Sequence, residues 1–435
     1  MKNLFLIFVF AFFASFSFGQ VSDKDFIDAL KRGDAKVADV LLVGGANPNA
    51  KDSSGNSALM AAVNNGDENI AELLIKNGAN ANESYTMGMS VLMLAINKKM
   101  ARTAQLLIEN NADLTVTLPN GENALIMAAE NNLGEIVKSI VVKKQIDVNA
   151  KTLQGLTAIS AAIKNENIEL AKFLNRNGAK PSTVLEAVAV DDIKACKELV
   201  AKGADFEITD KNARTPLLNA YVSENYEFAV FLLSKGADVN AKDGFGSTPV
   251  LYASMANNGA LLSLALIHNA DVNAKDVNGD VPLIYEVFRD NEEAVEQILK
   301  YDSSCVNAAD NNFTTPLFMA ASKGNVKIAA KLIKNGADIN LRKARKALNA
   351  AISLGYFDIA EILLNGGARI NAKDINGESP LIAAARKNNV EGVKFLVERG
   401  ARTNTRDKNG LAPYDYALKY ANDEMIKVLN SARRQ

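Results

Sequence analysis

Apolar and polar residues follow a pattern that repeats about every 33 residues along most of the chain. One complete copy covers residues 310–342. Thr315 and Pro316 mark the start of a short helix in it, because threonine caps a helix start and proline needs no N–H at the first helical position. A second helix follows, with apolar side chains on one face at Ile328, Leu332 and Ile333. Gly336 lies just beyond its end, where a left-handed backbone is needed. Each copy is therefore predicted to be two short helices and a turn-rich connector.

Two sequence markers follow the same period. A Gly-Ala or Asn-Ala pair comes after the second helix of most copies, at Gly45, Gly78, Asn111, Gly178, Gly203, Gly236, Asn269, Gly336, Gly367 and Gly400. A Thr-Pro-Leu-like triplet opens the first helix, starting at Ser57, Thr157, Thr215, Thr248, Val281, Thr315, Ser379 and Ala412. The agreement of both markers predicts one architecture repeated many times.

With this period and these markers, the chain resembles the ankyrin repeat family over essentially all of residues 21–434. The resemblance implies an all-α solenoid of about 12–13 stacked helix-turn-helix units, joined by fingers that are β-turns or hairpins. Two short helices cannot bury their apolar faces alone. Stability is therefore expected to come from the contacts between neighbouring units.

The chain after the leader is predicted to have three parts. Residues 20–51 form an N-terminal capping unit, residues 52–406 form eleven repeats, and residues 407–435 form a C-terminal capping unit. Two of the repeats, near residues 181–209 and 343–373, are shortened before their first helix. Both are expected to lack part of the outward finger.

Residues 1–19 have the layout of a secretory signal peptide. Lys2 supplies a positive start, an apolar run covers residues 4–18, and the small residues Ser17 and Gly19 precede the predicted cut. The run is shorter than the roughly 20 residues of a bilayer span, and an uncleaved anchor is the alternative. We expect an exported protein, periplasmic or secreted, with no membrane span after cleavage. The Phe-rich leader and the Asn/Lys-rich sequence indicate a bacterial source.

The charge balance and the missing motifs narrow the function. The chain has 49 basic and 50 acidic residues and a net charge of −1. A nucleic-acid binder needs a concentrated positive face, so nucleic acid is not expected as a partner. Glycine loops that cradle phosphates and the histidine or cysteine motifs of metal sites do not occur in the sequence. We therefore expect no catalysis, no cofactor, no metal and no small-molecule substrate.

The chain has one histidine and two cysteines. His268 aligns with Asn77 and Asn335 at the exposed end of a second helix, where an imidazole meets the negative helix end, so it is interpreted as structural or neutral. Cys196 aligns with inward alanines and is expected to be buried. Cys305 takes the aspartate position of a turn and is expected to be an exposed thiol, able to pair between molecules. The two lie about three units apart, roughly 30 Å, so no disulfide within the chain is expected.

Aspartates also recur with the repeat period, at Asp52, Asp210, Asp243, Asp276, Asp310, Asp374 and Asp407. A calcium loop needs several carboxylates within a dozen residues, and no such loop is found. Each aspartate is instead predicted to begin a finger turn by accepting hydrogen bonds from backbone N–H groups.

The sequence departs from the family pattern in three places. The family carries a histidine after Thr-Pro-Leu that links adjacent fingers, whereas apolar residues occupy that position here, at Met60, Met93, Leu218, Leu251, Ile284 and Phe318. Apolar packing is predicted to replace those bonds. Glu286 stands in a position of buried alanines, where a carboxylate needs a partner or water. The unit over residues 276–309 lacks the Gly-Ala turn, and a weak or bent layer is expected there.

The resemblance implies protein binding, because proteins of the ankyrin repeat family bind other proteins on a concave surface formed by finger tips and first helices. Outer positions near the ends of the first helices are polar early in the chain and become apolar at Val222, Met255 and Phe288. They then become basic at Arg289, Lys323, Arg386 and Lys387. Finger positions add Tyr85, Met87, Phe245, Val277 and Ile375.

An apolar centre flanked by charge is typical of binding hot spots. We predict a protein partner that inserts apolar groups near Met255 and Phe288 and places acidic groups against the basic residues. The alternative is that these are ordinary exposed residues of a stack that binds elsewhere or weakly. The predicted function is a non-catalytic interaction scaffold. The alternative function is a secreted effector, immunity or inhibitor protein that blocks one specific partner.

Overall fold

The computed structural model describes residues 22–85, 88–341 and 346–433. The chain divides into two compact units, Met1–Lys202 and Gly203–Gln435. In each unit the described residues form pairs of short α-helices, and each pair packs against the pairs before and after it in that unit. The predicted all-α fold of repeated helix pairs is confirmed.

The first unit contains twelve helices in its described residues, which make six pairs. Their bounds are α1 (Asp23–Lys31), α2 (Ala35–Val43), α3 (Ala58–Asn65), α4 (Glu68–Lys76), α5 (Val91–Asn97), α6 (Ala101–Glu109), α7 (Ala124–Glu130), α8 (Gly134–Val142), α9 (Ala158–Lys164), α10 (Ile168–Arg176), α11 (Val184–Ala189) and α12 (Ile193–Ala201). The odd-numbered helices are the first helices of their pairs.

The second unit contains fourteen α-helices in its described residues, which make seven pairs. Their bounds are α13 (Pro216–Val222), α14 (Tyr226–Ser234), α15 (Pro249–Ala256), α16 (Gly259–Ile267), α17 (Pro282–Phe288), α18 (Glu292–Tyr301), α19 (Pro316–Lys323), α20 (Val326–Lys334), α21 (Ala347–Leu354), α22 (Phe357–Asn365), α23 (Pro380–Arg386), α24 (Val390–Glu398), α25 (Pro413–Lys419) and α26 (Asp423–Arg433). A 3₁₀ helix, Ser303–Asn307, follows α18.

Most helices begin at a side-chain cap, as the sequence predicts. Thr315 accepts a hydrogen bond from the backbone N–H of Phe318 at 3.2 Å, and Pro316 takes the first helical position of α19. The second helix of the same pair begins at Asn325, whose side chain accepts from the N–H of Ile328 at 2.9 Å. Such caps satisfy N–H groups that have no partner inside the helix. They explain why each helix starts at the same place in successive copies.

The core of each unit lies between its helices. First helices are buried on most sides, and in α7 every residue from 124 to 129 is buried. Second helices bury one face only, as in α20 with buried Ile328, Ala329 and Leu332. The largest buried side chains of the second unit include Tyr221 and Phe228. The surface is therefore left to the fingers, the helix ends and the outer faces of the second helices.

None of the described helices is long and apolar enough to cross a membrane. The C-terminal helix α26 has 11 residues, about half of the roughly 20 residues that a bilayer span needs. The predicted signal peptide, residues 1–19, lies outside the described residues, and its role stays a prediction.

The unit that lacks the Gly-Ala turn closes with the 3₁₀ helix instead. The carboxylate of Asp302 caps that helix by accepting from the N–H of Ser304 at 2.8 Å. The helix turns the side chains of Cys305 and Val306 into the core. A compact turn with its own buried residues thus takes the place of the glycine turn.

The prediction that Cys305 is an exposed thiol is wrong. Its side chain is fully buried because the 3₁₀ helix directs it inward, where Sγ lies 3.7 Å from the carbonyl oxygen of Asp302. Burial raises the pKa of the thiol to about 12, so little reactive thiolate exists at neutral pH. Cys196 is buried as predicted, and both cysteines are free thiols.

Candidate functional site

The aspartate that begins a finger shapes the finger turn by accepting hydrogen bonds from backbone N–H groups. Asp243 accepts hydrogen bonds through Oδ1 from the backbone N–H groups of Phe245 and Ser247, both at 2.9 Å. In six other fingers, the backbone N–H groups of the second and the fourth residue after the aspartate make the same two bonds. These aspartates are Asp52, Asp210, Asp276, Asp310, Asp374 and Asp407. The prediction that these aspartates are turn residues is confirmed.

In three fingers a tyrosine of the following first helix holds the other oxygen of the aspartate. The hydroxyl of Tyr252 donates to Oδ2 of Asp243 at 2.5 Å. The equivalent bonds, each at 2.6 Å, join Tyr285 to Asp276 and Tyr416 to Asp407. Burial and the bond to the carboxylate raise the pKa of Tyr416 to about 12. These bonds are absent from the sequence prediction, although a tyrosine nine residues after the finger aspartate marks each of them.

An asparagine ahead of the finger ties one repeat to the next. Asn240 donates through Nδ2 to the carbonyl of Asn269 at 3.3 Å and accepts through Oδ1 from the N–H of Asp271 at 2.8 Å. The same pair of bonds is made by Asn49, Asn82, Asn149, Asn307 and Asn340. For Asn240 the partners are 29 and 31 residues away in the chain. These bonds therefore set the spacing of successive fingers within each unit.

The apolar residues predicted to form a binding centre lie at the surface of the second unit. Val222 and Phe288 are the last residues of α13 and α17, and Met255 is the last but one of α15. Phe288 is 57% exposed, whereas Met255 is partly buried. In the fingers, Phe245 is 57% exposed and Val277 is 62% exposed. Apolar area is thus exposed both on fingers and at the ends of first helices.

Two of the predicted basic residues cap the first helix of the preceding repeat. Arg289 donates to the carbonyl of Met255 and to its neighbour at the C-terminal end of α15. Lys323 donates to the carbonyl of Phe288, the last residue of α17. Carbonyls at a helix C-terminus have no partner inside the helix, and a cation there meets the negative end of the helix dipole. Arg289 and Lys323 therefore stabilise the packing of successive first helices.

The last two predicted basic residues differ in their surroundings. Nε of Arg386 lies 2.7 Å from Oε1 of Glu378, and its Nη2 donates to Oε2 at 3.2 Å. Lys387 is the exposed C-cap residue of α23. In the part of the chain that the structure describes, its ammonium has no ion-pair partner. Most of the positive charge predicted to meet an acidic partner is thus already engaged.

The remaining predicted residues belong to fingers. Tyr85 lies in the first unit and is partly buried, and its backbone N–H donates to the carbonyl of Met89 at 2.7 Å. Met87 lies outside the described residues. Ile375 lies in the second unit and is partly exposed, and its carbonyl accepts from Nζ of Lys408 at 2.6 Å. Apart from Tyr85, every described residue of the predicted set is in the second unit.

The family described as Ankyrin repeats (3 copies) matches the chain in six overlapping stretches. These stretches are residues 26–117, 92–184, 184–276, 251–343, 283–374 and 347–433. The chain belongs to the ankyrin repeat family. Ankyrin repeats are generally protein-interaction modules, so a protein partner is the expected ligand class.

Curated relatives match parts of this ankyrin chain. An ankyrin repeat and KH domain-containing protein of Caenorhabditis briggsae is 35% identical over 99 residues, which are 21% of this chain and 4% of the relative. A protein of the same description from Caenorhabditis elegans is 30% identical over 106 residues, 24% of this chain and 4% of the relative. An ankyrin repeat-containing protein of Schizosaccharomyces pombe is 33% identical over 76 residues, 17% of this chain and 37% of the relative. The chain matches well under two thirds of the length of each.

The apolar residues that follow Thr-Pro-Leu in this ankyrin chain do pack inside. Burial is nearly complete at Met60, Met93, Leu218, Leu251 and Ile284, while Phe318 is partly exposed. The predicted replacement of histidine bonds by apolar packing is confirmed at the five buried positions. Asparagine side chains such as that of Asn240 link successive repeats instead, and aspartate side chains such as that of Asp243 make the bonds within a finger.

Several exposed apolar residues of the second unit are missing from the sequence prediction, among them Phe313 and Leu354. Phe313 is 46% exposed and has a φ of +61°, in the finger position that glycine fills at Gly246, Gly279 and Gly377. A left-handed backbone is costly for a phenylalanine. Leu354, the last residue of α21, is also exposed. Alignment of the repeats could have revealed Phe313, because it stands where other fingers have a glycine.

Two carboxyl groups of one repeat have raised pKa values. Glu286 is 1% exposed, and Asn291 donates to its carboxylate at 3.0 Å, which supplies the partner that its position requires. Burial raises its pKa. Burial and the neighbouring carboxylate of Asp276 raise the pKa of Asp280 to about 6.

His268 is the C-cap residue of α16, and its backbone N–H donates to the carbonyl of Ala265 at 3.1 Å. It is partly exposed, so its predicted place at the end of a second helix is confirmed. Within residues 22–85, 88–341 and 346–433, no group of three or more His, Cys, Asp and Glu side chains is placed to hold a metal ion.

Proposed function

We propose that the chain is a non-catalytic protein-interaction scaffold and that its partner binds the fingers and first-helix ends of the second unit. The general role of ankyrin repeats supports a protein partner. The observation that carries the proposal is the exposed apolar area, since Phe245, Val277 and Phe288 are each more than half exposed. Exposed aromatic and apolar side chains of this kind are common anchors of protein interfaces.

Phe288 is oriented by the residues around it. Nζ of Lys323 lies 4.9 Å from the ring centroid, donates to the Phe288 carbonyl, and pairs with Asp290 at 2.9 Å. This cation–π contact covers one face of the ring. A side chain that is already held in place loses less conformational entropy when a partner binds. Phe288 is therefore well suited to anchor a partner.

Changing Phe245, Met255 and Phe288 together to serine is expected to weaken partner binding about 30-fold or more, since truncating a hot-spot residue costs about 2 kcal/mol or more. The immobilised chain is incubated with extract of its native cells, and bound proteins are quantified by mass spectrometry. Thermal unfolding of the variant, followed by circular dichroism, is expected to match that of the wild type because the changed side chains are exposed or partly exposed.

A matched control changes three apolar residues on the second helices of the same unit. Val230, Ile267 and Val326 are exposed to a similar or greater extent than Met255, and their change to serine should leave partner recovery intact. Unchanged recovery by the Phe245, Met255 and Phe288 variant would contradict the proposal. Equal loss in both variants would contradict the assignment to this surface.

We also propose that the chain is exported. Only the signal-peptide layout of residues 1–19 supports this, and the nematode and fission-yeast relatives lend no support to a bacterial source. N-terminal sequencing of the protein from its native cells should find a chain that begins at Gln20 in a periplasmic or secreted fraction. Recovery of chains beginning at Met1 in the cytosol would contradict export. A single tight complex with one partner would favour an effector, immunity or inhibitor role over a general scaffold.

A further inference from the structure

Some neighbouring fingers are joined by a backbone hydrogen bond. In the first unit, the N–H of Leu153 donates to the carbonyl of Asn120 at 2.7 Å, and this bond joins the finger before α9 to the finger before α7. Equivalent bonds of the second unit, at 2.8 and 2.9 Å, join Gly244 to Asn212 and Asn311 to Asn278. The acceptor is each time the second residue after the one that begins its finger. A finger can therefore bind the segment that follows it through the carbonyl of that residue.

The finger before α9 lacks such a bond on its other side. The equivalent acceptor is the carbonyl of Gln154, and among the described residues no N–H donates to it. Residues 143–157 join α8 to α9, but only residues 177–183 join α10 to α11. The turn bond of the earlier finger, from the N–H of Gly155 to the carbonyl of Thr152, has no counterpart in this short connector. The edge of the finger at Gln154 is therefore unpaired, and an unpaired backbone edge can bind another chain.

The unpaired edge borders a groove of about 660 Å³ in the first unit. Its lining includes Gln154 and the partly exposed Leu156 of the finger, and Ser182 of the short connector. The structure describes every residue of this lining. The charged residues of the lining are three glutamates and one lysine, namely Glu122, Glu130, Glu186 and Lys164. The groove thus combines an unpaired backbone carbonyl with an excess of negative charge.

One of the three carboxylates is already engaged within the protein. Glu186 is 8% exposed, and its Oε2 accepts from the N–H and from the hydroxyl of Ser182 at 2.5 and 2.8 Å. Its Oε1 accepts from the hydroxyl of Ser160 at 2.6 Å. Since Ser160 belongs to α9, these bonds hold the short connector against that helix.

The other two carboxylates lie beside each other. Glu122 is partly exposed in the finger before α7, where Asn120 donates to it at 3.3 Å, and Glu130 is the exposed last residue of α7. Among the described residues, neither carboxylate makes an ion pair. Burial and the neighbouring carboxylate of Glu122 raise the pKa of Glu130, while the charge of Lys164 opposes this shift. A cation bound by both carboxylates would relieve their repulsion.

We propose that this groove binds an extended basic segment of a partner protein. A backbone N–H of the segment donates to the carbonyl of Gln154, as the N–H of Leu153 donates to Asn120. A lysine or arginine of the segment pairs with Glu122 and Glu130. An apolar side chain of the segment packs on Leu156. The site lies in the first unit and therefore goes beyond the proposed function, which places a partner on the second unit.

A divalent metal ion fits this groove less well than a peptide. In the part of the chain that the structure describes, no group of three or more His, Cys, Asp and Glu side chains is placed to hold a metal ion. A peptide also supplies an N–H donor for the carbonyl of Gln154, which a metal ion does not. The two available carboxylates and the carbonyl together favour a cationic side chain on an extended backbone.

The test uses the full chain and a short fluorescein-labelled peptide of alternating lysine and valine, since valine favours an extended backbone. Binding is measured by fluorescence anisotropy and is expected to weaken as the salt concentration rises. The Glu122→Gln/Glu130→Gln variant is expected to bind the peptide at least about tenfold more weakly, because charged hydrogen bonds are lost. Thermal unfolding of this variant, followed by circular dichroism, should occur at the wild-type temperature or above it, since a repulsion between like charges is removed.

Two controls separate the groove from general charge attraction. The Glu135→Gln/Glu169→Gln variant makes the same charge change at exposed residues of the second helices α8 and α10, and it should bind the peptide like the wild type. A second peptide carries methyl groups on its backbone amides, which removes the N–H donors and keeps every charge. It is expected to bind about fivefold more weakly, the effect of losing one hydrogen bond between uncharged groups.

Four results would overturn the proposal. They are absence of peptide binding, equal binding by the Glu122→Gln/Glu130→Gln variant, equal binding of a peptide with glutamine in place of lysine, and equal binding of the methylated peptide. Equally tight binding of spermine, lost in the same variant, would identify a small cation as the ligand and also overturn it. The Phe245, Met255 and Phe288 serine variant should bind the peptide like the wild type. Failure of the groove and failure of the proposed function are therefore seen in separate measurements.

Discussion

Replacing Asp243 with alanine is expected to lower the free energy of unfolding of the second unit by about 3–5 kcal/mol, the cost of removing one member of a buried ion pair. The carboxylate is fully buried, and Nε of Arg214 lies 3.6 Å from it. Alanine also leaves three donors without their acceptor, namely the hydroxyl of Tyr252 and the N–H groups of Phe245 and Ser247. Urea denaturation followed by circular dichroism measures the loss. Partner binding should weaken as well, because Phe245 belongs to the same finger.

The size of this effect depends on pH. Burial raises the pKa of Asp243, but the bonds from Tyr252 and from two backbone N–H groups, with the charge of Arg214, outweigh burial and hold the pKa below its ordinary value of 3.8. A carboxyl with a lower pKa in the folded state stabilises the fold above its unfolded-state pKa, and this contribution is lost as the pH falls through the folded-state pKa. The difference in unfolding free energy between the wild type and Asp243→Ala should shrink below about pH 4. A difference that grows on acidification would contradict this account.

Asp310→Ala is the matched control for Asp243→Ala. Asp310 makes the two backbone bonds of its finger, from the N–H groups of Asn312 and Thr314 at 2.8 and 2.7 Å. No tyrosine stands nine residues later in this finger, since that position is Met319. Its change to alanine should lower the free energy of unfolding by about 1–2 kcal/mol, the range expected when hydrogen bonds from uncharged donors are lost. Equal losses for Asp243 and Asp310 would show that the tyrosine and arginine contacts contribute nothing.

Replacing Phe228 with alanine is expected to lower the free energy of unfolding by about 3–5 kcal/mol, the range for removing a buried phenylalanine side chain and leaving a cavity. Phe228 lies in α14 and is 1% exposed. Because repeats depend on their neighbours, the loss should reach the adjacent helix pairs as well. Hydrogen exchange of α13 to α16, compared between variant and wild type, measures how far the effect extends.

Phe245→Ala is the control for the change at Phe228, since both replace phenylalanine in the same unit. Phe245 is more than half exposed at a finger tip, so its change should alter the unfolding free energy by no more than about 0.5 kcal/mol. The same change should weaken partner binding. A destabilisation at Phe245 as large as that at Phe228 would contradict the separation between core and binding surface.

The repeat fold could be predicted from the sequence because the bonds that shape one copy are local. Thr315 caps a helix through a residue three positions later, and Asp243 shapes its finger through residues two and four positions later. Apolar residues at helical spacing then define the inward face. A single copy carries all of this information, and the period repeats it.

The candidate site could be predicted only in part. The register correctly placed Phe245 and Phe288 at the surface, since both occupy outward positions of a known repeat. It could not show that Arg289 caps α15, because the carbonyls that it binds lie 34 and 35 residues earlier. The same holds for Lys323, whose acceptor lies 35 residues away. The sequence alone does not show whether the charged group of a basic residue is already hydrogen-bonded or paired within the protein.

The amino-acid sequence alone determines the helix pairs, the finger turns and the family of this protein, because caps, turns and inward faces depend on residues a few positions apart. Only the tertiary structure decides which charges are engaged and that Cys305 is buried. The physical reason is that burial and pairing depend on atoms from neighbouring repeats, about 30 residues away in the chain.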